Sequence, residues 1–362
     1  MSDIRTRSRT KVLVVDDSRV AREYLGYVLG ADARIEVVGE VATGEDAVAF
    51  VRRSRPDIVL MDLHLPGIDG FEATRQIMAT APVPIIVCTA GVSFHEVKTA
   101  MEALAAGALA ALRKPVGPTH PDAAADAAAL ISMLRVMAQV RVVRRWQRPA
   151  AGAVPAPPPA RIEPAALALR SVAVVAIGAS TGGPPALAAI MSRLPKDFGA
   201  PVLIVQHITS GFTAGFASWL GTETGRPVHV VSGGEMPLAG HVYVAGEGGH
   251  LRVSSAGRLE MASDEPPSVH CPSVGVLFTS VAQRYGRRAI GVLLTGMGRD
   301  GAAELKVLAD AGALTVAQDE ASCVVFGMPG EAIRLGGAQL VLSPQAIADL
   351  LVRVVRVRSS GT

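Results

Sequence analysis

Cysteine is scarce in this sequence, and no two of its cysteines lie close together. Cys88, Cys271 and Cys323 have neither the spacing of a metal site nor that of a disulfide framework. Such sparing use of thiols is typical of a reducing compartment. The polar, basic N-terminus has no apolar stretch that would indicate a signal peptide. We therefore expect a cytoplasmic protein.

The sequence also lacks a large excess of charge of either sign and any long apolar run. The formal net charge is only +3 over 362 residues, which does not favour nucleic acid as a partner. No window approaches the roughly 20 uncharged apolar residues of a membrane span, so we expect no membrane insertion. Hydrophobic residues still make up 49% of the chain, which is enough for two globular domains with cores of their own.

The first part of the chain alternates short apolar strands with helical patterns. The stretches KVLVVDD (11–17), DIVLMDLHLP (57–66) and PIIVCTA (84–90) are strand-like, and helix candidates lie between them. This alternation predicts an α/β domain whose parallel sheet is covered by helices on both faces. We place this domain at residues 1–130.

A linker is predicted next, at residues 131–170. Residues 130–148 have helical spacing and an arginine-rich polar side, and residues 149–164 are rich in alanine and proline. The arginines fit either a solvated helix face or a contact with an acidic partner or the neighbouring domain. From residue 171 to 355 the alternation resumes and predicts a doubly wound, mostly parallel α/β domain, with a β-hairpin edge at 241–261.

Polar side chains stand at the ends of successive strands in the first domain. Asp16 and Asp17 end the first strand and Asp62 ends the third, so their carboxylates converge at the carboxyl edge of the sheet. The three carboxylates repel one another unless a hard cation lies between them, and Mg²⁺ prefers oxygen ligands. Thr89 and Lys114 end the next strands and offer a hydroxyl and an ammonium to a phosphoryl group on Asp62.

Residues 10–130 resemble the receiver domain of bacterial response regulators, through VVDDS, MDLHLPGIDG, CTA and RKP. The resemblance implies a (βα)5, flavodoxin-like fold and phosphotransfer from a histidine kinase to Asp62. It also implies a metal ligand at the backbone carbonyl of His64 and a cis peptide bond before Pro115. Ala111 departs from the pattern, because receivers usually carry an aromatic residue there that rotates on activation.

A glycine-flanked serine opens the second domain. In AIGASTGGP (176–184), Ser180 lies on a tight turn between an apolar strand and a helix that begins with prolines. The turn fits a nucleophile elbow of the Gly-x-Ser-x-Gly type, a phosphate-binding loop or a helix cap. A Walker loop is disfavoured because no Gly-Lys-Ser/Thr follows.

A serine nucleophile needs a base and an acid that orients the base. His207 follows the strand VLIVQ and Asp300 follows the strand AIGVLLTG, so both are expected at the same sheet edge as Ser180. His250 and His270 are rival bases. The stretch GMGRDG (296–301) also matches a dinucleotide fingerprint, with Asp319 near the expected acidic position.

The second half, residues 171–350, resembles the catalytic domain of the chemotaxis protein-glutamate methylesterases. IGASTGGP, VQHI, LLTGMGRDGA and AQDEASCVVFGMP are the matching stretches. The resemblance implies Ser180 as nucleophile, His207 as base and Asp300 as acid. It further implies that Thr181 and the backbone N–H of Met297 hold the oxyanion.

The resemblance also implies the reaction and its setting. The enzyme would hydrolyse glutamate methyl esters on cytoplasmic chemoreceptor helices, release methanol and deamidate glutamines there. Mg²⁺ would serve receiver phosphorylation only, with no cofactor for ester hydrolysis, and the unphosphorylated receiver would contact the catalytic domain and cover its cleft. Gly275 departs from the usual Asp near that cleft. A non-catalytic phosphorylation switch and a dinucleotide-dependent oxidoreductase are the two alternatives.

Overall fold

The computed structural model describes residues 9–91, 93–140, 142, 171–263 and 270–355. Contacts divide the chain into two compact units on either side of the Pro149–Ala150 bond. The domain limits at residues 130 and 171 stay predictions. Most of the predicted linker lies outside the described residues.

The N-terminal unit is a five-stranded parallel sheet with strand order β2-β1-β3-β4-β5. Strands β3 and β4 are buried along their whole length, because helices cover both faces of the sheet. The predicted (βα)5 fold is confirmed. Its elements are β1 (Thr10–Val15), α1 (Arg19–Gly30), β2 (Ile35–Val41), α2 (Gly44–Ser54), β3 (Ile58–Asp62), α3 (Gly70–Thr80), β4 (Ile85–Thr89), α4 (Phe94–Ala106), β5 (Ala110–Arg113) and α5 (Ala123–Met137).

Short polar residues start the helices of this unit. Ser18, Thr43, Asp69 and Ser93 each accept a hydrogen bond from a backbone N–H of the first turn, which satisfies a donor that has no partner within the helix. These caps set where each of the four helices begins.

Helix α5 is shorter than the apolar spacing of residues 130–148 predicts. It ends at Met137, and the N–H of Ala138 bonds to the carbonyls of Leu134 and Val136. Its buried face consists of Leu130, Leu134 and Met137. Residues 141 and 143–148 of the predicted helix lie outside the described residues.

The C-terminal unit is a seven-stranded sheet in which every pairing is parallel, with strand order β14-β13-β12-β6-β7-β9-β8. Its elements up to the middle of the unit are β6 (Val174–Ala179), α6 (Gly183–Met191), β7 (Val202–Gln206), α7 (Thr213–Thr224), β8 (Val228–Val230), β9 (Val242–Val244), β10 (His250–Val253) and β11 (Leu259–Ala262). There follow α8 (Val274–Tyr285), β12 (Ala289–Leu293), α9 (Ala302–Asp310), β13 (Leu314–Gln318), α10 (Met328–Arg334), β14 (Leu340–Leu342) and α11 (Pro344–Val354).

The predicted hairpin is present, but among the described residues it pairs only with itself. Strands β10 and β11 form a separate antiparallel ribbon, while β9 belongs to the main sheet. The ribbon packs on α8, where the N–H of Val253 bonds to Ser280 Oγ at 3.0 Å, and its inner side chains Leu251 and Leu259 are fully buried. Burial against α8 therefore decides its place, rather than pairing with the sheet edge.

Strand β6 lies where the strand order reverses. It pairs with β7 on one side and with β12 on the other. In parallel α/β sheets, the crevice beyond the carboxyl ends of such strands is the usual ligand site. Ser180, His207 and the loop before Asp300 all follow these three strands.

Candidate active site and phosphorylation site

Ser180 is the first residue after β6, on a turn that only glycine can complete. Gly182 adopts φ +77°, a left-handed conformation, and a Cβ atom there would lie 2.5 Å from the side chain of Val324. Gly183 then begins α6 and donates its N–H to the carbonyl of Ser180 at 2.8 Å. The turn holds the serine between the end of the strand and the N-terminus of a helix.

His207 and Asp300 form a direct pair. The Nε2 atom of His207 lies 2.9 Å from Oδ2 of Asp300, and both side chains are largely buried. Because a carboxylate can only accept, Nε2 is the protonated ring nitrogen and Nδ1 remains as the basic one. The sequence prediction that these two side chains meet at one sheet edge agrees with this geometry.

Asp300 is held by the start of helix α8. It accepts hydrogen bonds from the backbone N–H groups of Val274 at 2.7 Å and Gly275 at 3.1 Å, and from the hydroxyl of Ser273 at 2.8 Å. Burial alone would raise the pKa of Asp300, but the hydrogen bonds from His207, Val274 and Ser273 outweigh it and lower the pKa to about 2. The acid is therefore ionised at neutral pH and orients the imidazole.

Ser180 and His207 stand on adjacent strands. Ala179 of β6 pairs with Gln206 of β7, so the next residue of each strand is Ser180 and His207. The N–H of His207 donates to the carbonyl of Ala179 at 2.9 Å. Neighbouring strands are about 4.8 Å apart, a distance that side chains at such paired ends easily bridge.

Thr295 ties the loops around Ser180 together, and it is 1% exposed. Its carbonyl accepts the N–H of Ser180 at 3.0 Å, and its hydroxyl donates to the carbonyl of Thr181 at 2.9 Å. The same hydroxyl oxygen accepts the N–H groups of Val324 at 3.1 Å and Val325 at 3.0 Å. One buried threonine thus connects the serine turn with the loop that contains Val324 and Val325.

The loop after β12 comes close to the serine. A Cβ atom on Gly296 would lie 2.7 Å from Cβ of Ser180, so a larger residue would push the loop away. Met297, the next residue, has a side chain that is 42% exposed. Thr181 is half-buried. Of the two residues predicted to hold the oxyanion, Thr181 directly follows Ser180, and Met297 directly follows the glycine that approaches it.

The rival histidines have different surroundings. His250 is buried in the hairpin, and its Nδ1 accepts the N–H of Ser273 at 3.1 Å. His270 stacks on His207, with ring centroids 4.7 Å apart and an interplanar angle of 11°. Burial and the neighbouring His207 lower the pKa of His270, although Asp300 acts in the opposite direction. Stacking orients the His207 ring from a second side.

The acids of the predicted dinucleotide fingerprint at 296–301 form hydrogen bonds within the catalytic unit. Asp300 of that stretch bonds to His207 and to α8. Asp319 caps a short 3₁₀ helix, where its Oδ1 accepts the N–H of Ser322 at 2.8 Å. Both acids are thus hydrogen-bonded within the protein, and the geometry favours the hydrolase interpretation.

Three residues that support the site, Gln206, Ser273 and Thr295, are not among those predicted from the sequence. Gln206 and Thr295 share a recognisable signal, because each is a polar residue that closes or follows an otherwise apolar strand, VLIVQ and AIGVLLT. Ser273 is a helix cap of the ordinary kind. Its contact with Asp300 depends on tertiary packing.

In the N-terminal unit the three predicted acids converge. Carboxylate oxygens of Asp16, Asp17 and Asp62 lie within 4.8 Å of one another. The Nζ atom of Lys114 lies 2.6 Å from Oδ2 of Asp16 and 3.0 Å from Oδ2 of Asp62. One ammonium among three carboxylates leaves excess negative charge, and this donor set of oxygens fits a divalent cation such as Mg²⁺.

Burial and the ion pairs act in opposite directions on the charged groups of this pocket. Burial raises the pKa of Asp62, against the opposing effect of Lys114 and with a further increase from Asp16. Burial would lower the pKa of Lys114, but the two carboxylates outweigh it and raise it. Asp17 is exposed, and so is His64, two residues beyond Asp62.

Two further receiver residues have defined positions. The hydroxyl of Thr89 donates to the carbonyl of Gly91 at 2.5 Å, and Ala111 is buried on β5. The expectation of a cis bond before Pro115 is wrong. Among the described residues the cis peptide bond is Cys271–Pro272, and the Lys114–Pro115 bond is trans. The two forms of an X–Pro bond differ by only about 0.5–1 kcal/mol, so the loop around the bond decides and the motif does not.

None of the described helices has both the length and the hydropathy that a bilayer crossing requires.

Comparison with known proteins matches both units. Residues 175–351 match the family described as CheB methylesterase, and residues 12–125 match the response regulator receiver domain. A protein-glutamate methylesterase/protein-glutamine glutaminase of Nitrosospira multiformis is 47% identical over 96% of this chain and 97% of its own length. One from Syntrophus aciditrophicus is 47% identical over 95% of this chain and 98% of its own length. The crystal structure of the Thermotoga maritima CheB methylesterase catalytic domain is 36% identical, covers 51% of this chain and 100% of that one, and has a TM-score of 0.49.

Proposed function

The chain belongs to the CheB methylesterase family of receiver-linked protein-glutamate methylesterases/protein-glutamine glutaminases, and from that premise we propose that Ser180, His207 and Asp300 perform its ester hydrolysis. The observation that carries the proposal is the 2.9 Å pair between His207 Nε2 and Asp300, which leaves Nδ1 as the base on the same sheet edge as Ser180. An ionised acid, an oriented imidazole and a turn-borne serine are the three parts of a serine hydrolase.

Acylation begins when Nδ1 of His207 takes the hydroxyl proton of Ser180. The serine Oγ attacks the γ-carbonyl carbon of a glutamyl methyl ester, and the negative charge develops on the carbonyl oxygen. The backbone N–H of Met297 and the residue Thr181, which lie on the two loops next to the serine, would stabilise that charge. The imidazolium then gives its proton to the departing methoxide, methanol leaves and an acyl-enzyme remains.

Deacylation repeats these steps with water. His207 takes a proton from the water, hydroxide attacks the acyl carbon, and Ser180 recovers its proton as the glutamate side chain is released. A glutamine side chain reacts in the same way, with ammonia as the leaving group. Asp300 stays ionised throughout, since its hydrogen bonds hold the pKa of its carboxyl at about 2.

The receiver unit accepts a phosphoryl group on Asp62 from a histidine kinase. Asp16, Asp17 and Asp62, with the backbone carbonyl of His64, would hold Mg²⁺, which supplies positive charge next to the phosphoryl oxygens. Lys114 is already within ion-pair distance of Asp62, and Thr89 would exchange its bond to Gly91 for a phosphoryl oxygen. The fit of the acid cluster to a divalent cation supports this assignment.

The substrate is the methylated cytoplasmic helix of a chemoreceptor, and the protein acts in the cytoplasm. The restraint that the unphosphorylated receiver places on the esterase stays a prediction of the family resemblance.

Methanol release from methylated receptor, with and without a small phosphodonor, tests the proposal. Wild type should release methanol faster with the phosphodonor, and Ser180→Ala should release almost none in either condition. Near-normal release by Ser180→Ala would overturn the assignment of the nucleophile. A wild-type rate of methanol release that is the same with and without the phosphodonor would instead overturn the regulatory role of Asp62.

A further inference from the structure

Gln206 makes an unusual set of contacts for the last residue of a buried strand. Its side chain is 4% exposed, although every other residue of the strand VLIVQ is apolar. The Nε2 atom lies 2.9 Å from the carbonyl oxygen of Ser180 and 2.8 Å from that of His207. Both partners can only accept, so the amide nitrogen must face them and its two hydrogens are both used.

We propose that Gln206 is a positioning residue of the esterase, whose amide holds the main chains of Ser180 and His207 at a fixed separation. The inference rests on the proposed function of those two residues. Gln206 itself lies beneath them and touches no reacting atom.

The geometry gives the amide this role because of where its two bonds end. One bond fixes the residue that provides the nucleophile, and the other fixes the residue that provides the base. The paired strands fix the preceding residues, Ala179 and Gln206, but the ladder ends there. Beyond the ladder, the N–H of His207 is tied to Ala179, and the carbonyls of Ser180 and His207 are both bonded to the one amide.

The Oε1 atom of the same amide favours a functional role of Gln206 over a purely structural one. Among the described residues, the buried Oε1 atom of Gln206 has no hydrogen-bond donor. It faces the first turn of α6, where a Cβ atom on Gly183 would lie 2.0 Å away. A buried amide oxygen without a donor lowers the stability of the folded state, and an apolar side chain of equal length would avoid that loss. Gln206 is therefore a poor choice for packing and a good one for holding two carbonyls.

Proton transfer from Ser180 to His207 is the step most sensitive to this tie. A shift of the two main chains relative to each other changes the distance between Oγ and Nδ1, and displacements of about 1 Å can reduce a rate by about 100-fold. Binding of the receptor helix does not depend on that distance. Loss of the amide should therefore lower kcat and leave KM unchanged.

The decisive variant is Gln206→Met, which keeps the length of the side chain and removes both hydrogen-bonding ends. We expect kcat for methanol release to fall by about tenfold or more, with KM within about twofold of wild type. The Tm should decrease, because the carbonyl of His207 loses the amide donor, but the protein should stay folded at the assay temperature. A deshielded proton NMR signal from Nε2–H of His207 should persist, because the bond to Asp300 is untouched. A kcat equal to that of wild type would overturn the inference, and so would a loss that follows the fraction of unfolded protein.

Gln206→Glu provides a second route if the methionine variant fails to fold. It has the same shape, but a carboxyl group has at most one O–H to donate and cannot bond both carbonyls, so kcat should again fall at constant KM. Wild-type turnover in this variant would equally overturn the inference. The matched control is Gln339→Met, at the opposite end of the sheet, where Gln339 Oε1 accepts the N–H of Thr315 at 3.4 Å. Its kcat should stay within about twofold of wild type.

Ser180→Ala, measured beside these variants, distinguishes a failure of the proposed function from a failure of the proposed role of Gln206. If Ser180→Ala is active, the proposed function itself has failed. If Ser180→Ala is inactive while Gln206→Met turns over normally, only the role of Gln206 has failed.

Discussion

The Nε2 atom of His207 lies 2.9 Å from Oδ2 of Asp300, and that carboxylate accepts three further hydrogen bonds from the start of α8. The acid is therefore part of the helix terminus as much as part of the active site. A change at Asp300 should affect both the tautomer of His207 and the seating of α8.

Asp300→Asn should lower kcat by about 10⁴-fold, the loss known for the equivalent change in other serine hydrolases. An amide can donate its N–H to Nε2, which would place the ring proton on Nδ1, the nitrogen that must act as the base. Single-turnover methanol release measures the effect. If this variant kept more than about a tenth of wild-type activity, His207 would not depend on Asp300 for its tautomer.

Acidification should destabilise the catalytic unit through Asp300. The pKa of this carboxyl is lowered to about 2 in the folded protein, against an ordinary value of 3.8. Its stabilising contribution is therefore fully present above pH 3.8 and is lost as the pH falls towards 2. Thermal unfolding between pH 4 and pH 2 should show a steeper decrease of Tm in wild type than in Asp300→Asn. Parallel curves for the two proteins would contradict the lowered pKa.

Thr295→Val should destabilise the loops around the serine. The valine keeps the shape but leaves the N–H groups of Val324 and Val325 without their acceptor, at a cost of about 1–3 kcal/mol for each buried group left unpaired. Denaturant unfolding of the catalytic unit measures the loss, and kcat should fall with it because the Ser180 turn is bonded to the same residue. The control is Thr222→Val on an exposed face of α7, which should change stability by less than about 0.5 kcal/mol. Equal losses of stability in the two variants would contradict the role of Thr295 in connecting the loops.

Asp62→Asn should abolish phosphorylation by a small phosphodonor. The carboxylate is the acceptor in the proposed reaction, and an amide cannot form the acyl phosphate. Labelling that depends on Mg²⁺ and is labile to base should be present in wild type and absent from the variant. As a control, Asp57→Asn changes an exposed acid whose carboxylate accepts the N–H of Lys11, and labelling should remain. Full labelling of Asp62→Asn would place the phosphoryl group on another residue.

The same substitution should raise the stability of the receiver at neutral pH. Burial raises the pKa of Asp62 in the folded state, so its ionised form opposes folding and the folded state loses stability as the pH rises through that pKa. Asparagine has no charge to bury, and Lys114 keeps Asp16 as its partner at 2.6 Å. The Tm of the receiver transition should be higher in Asp62→Asn than in wild type at pH 7 and should converge with it at low pH. Added Mg²⁺ should stabilise wild type more than the variant. A lower Tm for the variant at pH 7 would mean that the Lys114 pair outweighs the burial of Asp62.

Much of this molecule follows from local patterns in the sequence. Apolar runs that end in a polar residue predict the strands before Asp62, Ser180 and His207, because side-chain periodicity and turn residues are short-range properties. Parallel strands place their carboxyl ends at one edge, so the convergence of Asp16, Asp17 and Asp62 is also predictable without coordinates.

Tertiary structure decided what no local pattern contains. The order β12-β6-β7 puts Asp300 next to His207 across 93 residues of chain, and the packing of α8 supplies the donors that lower the pKa of Asp300. The hairpin at 250–262 stands apart from the main sheet because α8 buries its inner face, which its alternating sequence does not reveal. The amide of Gln206 between the carbonyls of Ser180 and His207 depends on strand register, a long-range property set by the whole sheet. Sequence by itself determined which residues end strands, and the packing of distant elements decided which of those ends share hydrogen bonds.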